Sequence, residues 1–203
     1  LLENAIQEQG ANAIFRACVD SKTLQSVLGL AGKTRADFSS SPCGVPDAIM
    51  MSAELKVNRA LTTLDLASND IGVPDGWSVK RDRRGDFKHY KHTDGRTQKE
   101  RPQGTSSGVV ALAESLKVNR ALNTLNLSGN KIGAYDRDGD NAAPWIPTPD
   151  GPNALFDSLK ANTTLTALDF SKNHVDAAGA KGIAECIKVN RALKRANLAL
   201  NDI

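Results

Sequence analysis

One nine-residue spacing recurs along this chain, and it constrains the fold more than any other feature. Leu61-Thr-Thr-Leu64-Asp-Leu66-Ala-Ser-Asn69 is repeated as Leu122-Asn-Thr-Leu125-Asn-Leu127-Ser-Gly-Asn130. Further copies are Leu165-Thr-Ala-Leu168-Asp-Phe170-Ser-Lys-Asn173 and Leu193-Lys-Arg-Ala196-Asn-Leu198-Ala-Leu-Asn201. A degenerate copy surrounds Ala36-Asp-Phe38. Within each copy the apolar residues alternate as in a short strand. Self-similarity of this kind marks an array of supersecondary units, none able to bury its apolar face alone.

The undisturbed pitch is 28 residues, the distance from Leu168 to Ala196 and from Phe38 to Leu66. After each strand-like segment comes one of helical spacing: Met51, Leu55 and Leu61 recur as Leu112, Leu116 and Leu122, as Leu155, Leu159 and Leu165, and as Ile183, Ile187 and Leu193. Residues four apart share a helix face, expected to pack on the sheet. Each helix closes on a Lys-Val-Asn-Arg-Ala-Leu segment, with Lys160-Ala-Asn162-Thr-Thr-Leu165 divergent. Asn58, Asn119, Asn162 and Asn190 are expected at a left-handed helix-ending position. Asn69, Asn130, Asn173 and Asn201 are expected to bond the backbone of adjacent turns from the strand exits.

Units of 28 residues with a full helix in each resemble leucine-rich repeats of the ribonuclease-inhibitor-like class. The resemblance covers the chain, residues 1–203, outside two insertions, and implies an α/β solenoid: a curved parallel sheet inside, helices outside. It also implies protein ligands on the concave side or rim. Ala36 and Ala196 depart from the pattern at leucine positions, and nine extra residues precede the strand at Ala36. Leu1-Leu-Glu-Asn4 reads as the tail of a repeat and Asn201-Asp-Ile203 as the start of another, so a fragment of a longer array is expected.

The pitch breaks twice, with 33 extra residues between Leu64 and Leu125 and 15 between Leu125 and Leu168. Such insertions have to leave from loops, because interrupting a strand or helix would unstack its neighbours. In the longer one, residues 73–102, Pro74, Trp77, Gly85, His92, Thr97 and Pro102 resemble the pattern of a WW domain, and Asp94-Gly95 is a hairpin turn signal. That family's proline-binding groove has aromatics where this chain has His89 and Lys99, so the resemblance implies the fold without its usual ligand. Residues 77–102 hold nine Lys or Arg against four Asp or Glu, leaving the rest of the chain at a net −2 out of +3. A solvated loop accounts for this charge; binding of nucleic acid or another polyanion is the functional alternative.

In the shorter insertion, residues 133–150, the run Asp136-Arg-Asp138-Gly139-Asp140-Asn141 lacks the Gly and Glu positions of a calcium loop. An acidic hairpin turn closing on Trp145 and Pro149 is expected, with Tyr135 and Trp145 packed together. Cys18, Cys43 and Cys186 are odd in number and widely spaced, which signals neither disulfides nor zinc and fits a reducing, cytoplasmic setting. No apolar run approaches the roughly 18 residues of a membrane span, and no basic-then-apolar leader opens the chain. His89, His92 and His174 stand at no recognisable spacing from a nucleophile. Neither an enzyme nor a cofactor is expected.

A protein-interaction scaffold follows from these features. The expected contacts are the aromatics of the insertions, Trp77, Tyr90, Tyr135 and Trp145, which gain most from desolvation at an interface. To them is added a polar column on the concave face, Asp37, Asp65, Asn126, Asp169 and Asn197, able to accept hydrogen bonds from a basic partner. The repeat class also includes activators of GTPases, which makes a GTPase accessory a third alternative.

Overall fold

The computed structural model describes residues 8–20, 23–41, 43–72, 77–81, 87–92, 95–98, 107–136, 145–147 and 149–203. Of residues 8, 18–20, 77–81, 87–90, 92, 98, 134–136 and 145–147 only the backbone is described. Five three-residue strands form one parallel sheet: β1 (Arg35–Asp37), β2 (Thr63–Asp65), β6 (Thr124–Asn126), β9 (Ala167–Asp169) and β10 (Arg195–Asn197). They pair in that order, so Ala36, Leu64, Leu125, Leu168 and Ala196 lie abreast. Each strand joins the next through a helix on the sheet's outer side: α2 (Val45–Val57), α3 (Ser107–Val118), α4 (Asp150–Ala161) and α5 (Ala177–Val189). A further helix, α1 (Glu8–Asp20), packs ahead of α2. This is an α/β leucine-rich repeat solenoid.

The core runs as a continuous stack rather than a ball. Leu61, Leu64 and Leu66 are buried against Leu122, Leu125 and Leu127, which in turn meet Leu165, Leu168 and Phe170. Phe170 takes a leucine position and sets its ring edge-on to Phe156, with centroids 5.3 Å apart. The helix positions Met51, Leu55, Leu112, Leu116, Leu155, Leu159 and Ile183 are buried as their spacing requires. Ile187 departs from the expectation: it is exposed, because α5 has a packed helix on one side only.

Two ladders of asparagine amides tie the turns together. At the strand exits, Asn130 Nδ2 donates to its own turn at Leu127 O (3.0 Å) and to the preceding turn at Leu66 O (2.8 Å). Asn173 Oδ1 accepts from Asn130 N (3.1 Å) and Ile132 N (3.3 Å), and Asn201 Oδ1 does the same for Asn173 N and Val175 N. Buried peptide groups that a sheet three residues wide cannot pair are thereby satisfied. The first turn carries Ser41 where the others carry Asn, and it receives its bond from Asn69 Nδ2 at Phe38 O instead.

At the helix exits the expectation of a left-handed asparagine is corrected. Asn58, Asn162 and Asn190 are extended, with φ between −77° and −69°. Their side chains close the turn: Asn58 Oδ1 accepts from Ala60 N and Leu61 N, as Asn119, Asn162 and Asn190 do at the matching positions. The amide nitrogens reach back one turn, from Asn119 to Leu55 O (2.6 Å) and from Asn162 to Leu116 O (2.7 Å). An extended residue aims the chain into the next strand, and the side chain does what a left-handed backbone would otherwise do. Left-handed φ values occur one residue before each strand-exit asparagine, at Ser68, Gly129, Lys172 and Leu200.

Four residues before those helix-exit asparagines stand Glu54, Ser115, Ser158 and Cys186, all fully buried. Ser115 and Ser158 satisfy their hydroxyls on helix carbonyls. Glu54 instead accepts from Ser26 Oγ, Val27 N (2.6 Å), Leu28 N (2.8 Å) and Asn58 Nδ2 (2.6 Å). Its carboxylate fastens the 26–30 segment, which lacks a repeat's spacing, onto the end of the array.

Both insertions leave after the same Asn-x-Ile-Gly segment, at Gly72 and Gly133. A Cβ on Gly72 would sit 2.7 Å from Asn130 O and Lys131 O, and one on Gly133 would sit 2.8 Å from Val175 Cα. The chain can depart there because a glycine lets the backbone lie directly on the next turn. The longer insertion contains the antiparallel strands β3 (Trp77–Arg81), β4 (Phe87–His92) and β5 (Thr97–Gln98), in that order, with Gly95 at φ +94° in the last turn. The shorter one contains the hairpin β7 (Ala134–Asp136) and β8 (Trp145–Pro147). Its turn, residues 137–144, lies outside the described residues.

Truncating Asn130 to Ala removes one of the two asparagine donors to Leu66 O and to Leu127 O and an acceptor of Ile71 N, and should cost about 1–3 kcal/mol in urea unfolding. Gly72→Ala forces backbone against backbone and should cost about 1–3 kcal/mol; an unchanged midpoint would mean the stacking is not that close.

Candidate functional site

The inner face of the sheet forms a shallow concavity of about 470 Å³, lined across all five strands. Register places the expected polar column in one line: Asp37, Asp65, Asn126, Asp169 and Asn197 occupy equivalent positions at the ends of successive strands. A parallel column, Arg35, Thr63, Thr124, Ala167 and Arg195, runs beside it, with a guanidinium at each end.

Each member of the polar column first serves its own strand. Oδ1 accepts the N–H two residues on: Ser39 for Asp37, Ala67 for Asp65, Ser128 for Asn126, Ser171 for Asp169 and Ala199 for Asn197. These side-chain turns end the strands after three residues and explain why Asp and Asn, and not a longer acid, recur there. The second atom then reaches sideways. Asn126 Nδ2 donates to Asp65 Oδ2 (3.1 Å), and Asn197 Nδ2 to Asp169 Oδ2 (2.9 Å).

The column is therefore two amide–carboxylate pairs preceded by Asp37. Burial alone would raise the Asp169 carboxyl; the hydrogen bonds from Ser171 and Asn197 outweigh it and hold the group below its ordinary value. Asp37 is held low by Ser39, through backbone and hydroxyl, with Arg35 adding to the effect. An ionised carboxylate has about four lone-pair sites, so Asp65 and Asp169 keep acceptor capacity toward the groove after these bonds. The arrangement presents fixed negative charge on a rigid surface.

The aromatics expected at an interface belong to the insertions, and their side chains lie outside the described residues. In the backbone register Trp77 faces His92, and Tyr90 lies between Val79 and Gln98. Tyr135 is opposite Ile146 and Trp145 opposite Asp136, so the pairing does not set the two aromatics against each other as expected. Cys43 and Cys186 are buried. His174 lies at a left-handed φ with Nδ1 3.4 Å from Asp202 Oδ2 in the next turn. Among the described residues no group of three His, Cys, Asp or Glu is placed to hold a metal, and no helix is long and apolar enough to cross a membrane.

The sideways Asn–Asp pairing was missed in the sequence. An amide beside a carboxylate, Asn126 by Asp65 and Asn197 by Asp169, relieves like-charge repulsion at those steps, but Asp37 and Asp65 stand abreast without one, so the column's composition alone does not signal the pairing.

The architecture is that of a leucine-rich repeat array. The leucine-rich repeat family model matches residues 57–76, 118–134 and 161–184. No curated protein matches the chain in sequence. Among solved structures, "Leiomodin-1 Actin-Binding Site 2 (ABS2)" superposes with a TM-score of 0.56 and 20% identity, covering 91% of this chain and 79% of that one. The tropomodulin C-terminal domain of Caenorhabditis elegans gives a TM-score of 0.44 and 9% identity, over 90% and 76% respectively. The first likeness is one of fold.

A depressed carboxyl contributes stability that is present above its unfolded value, near 3.8, and is lost as pH falls through the lower folded value. Carboxyl NMR titration should accordingly place Asp169 below 3.8, and Asn197→Ala should move its midpoint upward. An unmoved midpoint would mean the amide does not hold the carboxylate.

Proposed function

We propose that this chain is a non-enzymatic interaction scaffold whose concave sheet face receives the Lys- or Arg-bearing surface of a protein partner. The observation that carries this reading is the line of partly satisfied, ionised carboxylates held in register on a rigid sheet. Ordering them costs little on binding, since strand-ending bonds already fix their rotamers. The two insertions leave from one rim of the same array and supply additional contact surface, with Trp77, Tyr90, Tyr135 and Trp145 as its aromatic anchors. The longer insertion is read as a WW-like meander that has lost its proline-binding walls, and the array as ribonuclease-inhibitor-like. The odd, widely spaced cysteines suit a reducing, cytoplasmic setting.

Actin is the first partner to try, because a leiomodin-1 fragment described as an actin-binding site shares the fold. Co-sedimentation with filamentous actin tests both parts. Capture by the wild-type chain is expected, with at least tenfold weaker binding for the double variant Asp65→Lys, Asp169→Lys. Deleting residues 73–102 should weaken capture by a smaller factor. Sedimentation indifferent to the two concave substitutions would overturn the assignment of that face.

A further inference from the structure

The rim opposite the insertions, where helices end and strands begin, has a chemistry of its own. Segments 31–35, 56–63, 117–124, 160–167 and 188–195 carry eleven Lys or Arg and no Asp or Glu. The other rim, in segments 37–44, 65–72, 126–133, 169–176 and 197–203, carries six Asp against two Lys. Part of the basic rim is explained by the fold. Lys56, Lys117, Lys160 and Lys188 stand in the last turns of helices, where positive charge offsets the exposed carbonyls. Lys117 is paired with Glu114, Lys160 with Asp157 and Glu185, Lys56 lies over the Phe15 ring, and Arg120 folds back on helix carbonyls.

That account does not reach Arg59, Arg191, Lys194 and Arg195. They lie beyond the helices, are exposed, and have no ion-pair partner among the described residues.

Apolar surface runs through the same rim. The last residues of the helices form a row, Val57, Val118, Ala161 and Val189. Val118 is 50% exposed and Val189 52%. For Val118 this exposure is no accident of a missing neighbour, since α3 is packed on both sides. At the head of the row is a second concavity of about 470 Å³, lined by Ala31, Gly32, Val57, Arg59 and Ala60 among others. Neighbouring helices stack about 8–10 Å apart, so the row repeats at that interval. Seven residues of an α-helix rise about 10.5 Å, which lets one face of a single helix meet every step.

We propose that this rim docks an amphipathic helix with an acidic polar face, from a partner protein. One apolar side chain seats in the concavity at Val57, further apolar residues at seven-residue intervals rest on Val118 and Val189, and flanking Glu or Asp meet Arg59, Lys188 and Arg191. Three steps of the row correspond to about 20 residues of helix. Helix-in-groove recognition combines these two elements in this way. A nucleic acid would use the charge but leave the valine row and its concavity without a counterpart. The site is separate from the concave face and stands or falls independently of it.

The test uses the whole chain and a fluorescent peptide of about 20 residues, helical, with Leu at every seventh position flanked by Glu. Saturable binding is expected, at least tenfold weaker for Arg59→Glu, Lys188→Glu and Arg191→Glu combined. Val118→Ser with Val189→Ser should weaken it several-fold. All five residues are solvent-facing, so the variants should fold, which circular dichroism checks. A peptide with Gln for Glu should also bind at least tenfold more weakly, and Asp65→Lys, Asp169→Lys should change nothing. Absence of binding, indifference to the rim substitutions, or loss on the concave ones would each overturn the proposal. So would single-stranded RNA that binds at the same basic residues as tightly and ignores the valine substitutions.

Discussion

Everything in this molecule depends on hydrogen bonds made by asparagine side chains between consecutive turns. A sheet of three-residue strands pairs too few peptide groups to hold its own register, and the turns on either side bury backbone that needs partners. Asn69, Asn130, Asn173 and Asn201 supply them at the strand exits, while Asn58, Asn119, Asn162 and Asn190 supply them at the helix exits. Each amide bonds its own turn and the one before it. The leucines provide the bulk of burial energy, but leucine contacts are nondirectional; the amides decide which turn sits on which, and at what offset.

Function inherits this directionality. Because strand ends are aligned to the residue, a polar position in the repeat becomes a straight column in space, and a single repeated choice of side chain becomes a surface. The concave column of Asp and Asn and the rim of Lys, Arg and Val arise in the same way from opposite sides of the strand. One face thereby offers fixed negative charge, and the other offers positive charge interleaved with apolar steps. The array separates these chemistries without any globular core to organise them, and the insertions leave only where Gly72 and Gly133 let the chain pass over its neighbour.

Most of the architecture was legible in the sequence because the repeat period reports it directly. Even the degenerate strand at Ala36 is in register with Leu64, as the 28-residue spacing requires. What escaped the sequence is instructive. A helix end followed by Asn suggests a left-handed cap, but the side chains of Asn58, Asn119, Asn162 and Asn190 bond forward two and three residues, and the backbone at Asn58, Asn162 and Asn190 is extended. Ile187 matches buried leucines in pattern and yet is exposed, because burial depends on a neighbour and not on the residue. Glu54 occupies a position filled elsewhere by Ser or Cys, and nothing in its spacing signals that it accepts bonds from a segment 26 to 28 residues away. At the candidate site the column was legible, whereas the lateral Asn–Asp bonds needed the register to be seen.

Native-state hydrogen exchange is the most direct test of amide-locked stacking. The N–H groups of Asn130, Ile132, Asn173 and Val175, which bond to asparagine side chains of the next turn, should exchange only through an opening as costly as that protecting the Leu127 N–H, which bonds Asp169 O. Exchange at those four amides as fast as in an unstructured loop, with Leu127 still protected, would show that the leucines stack the turns unaided.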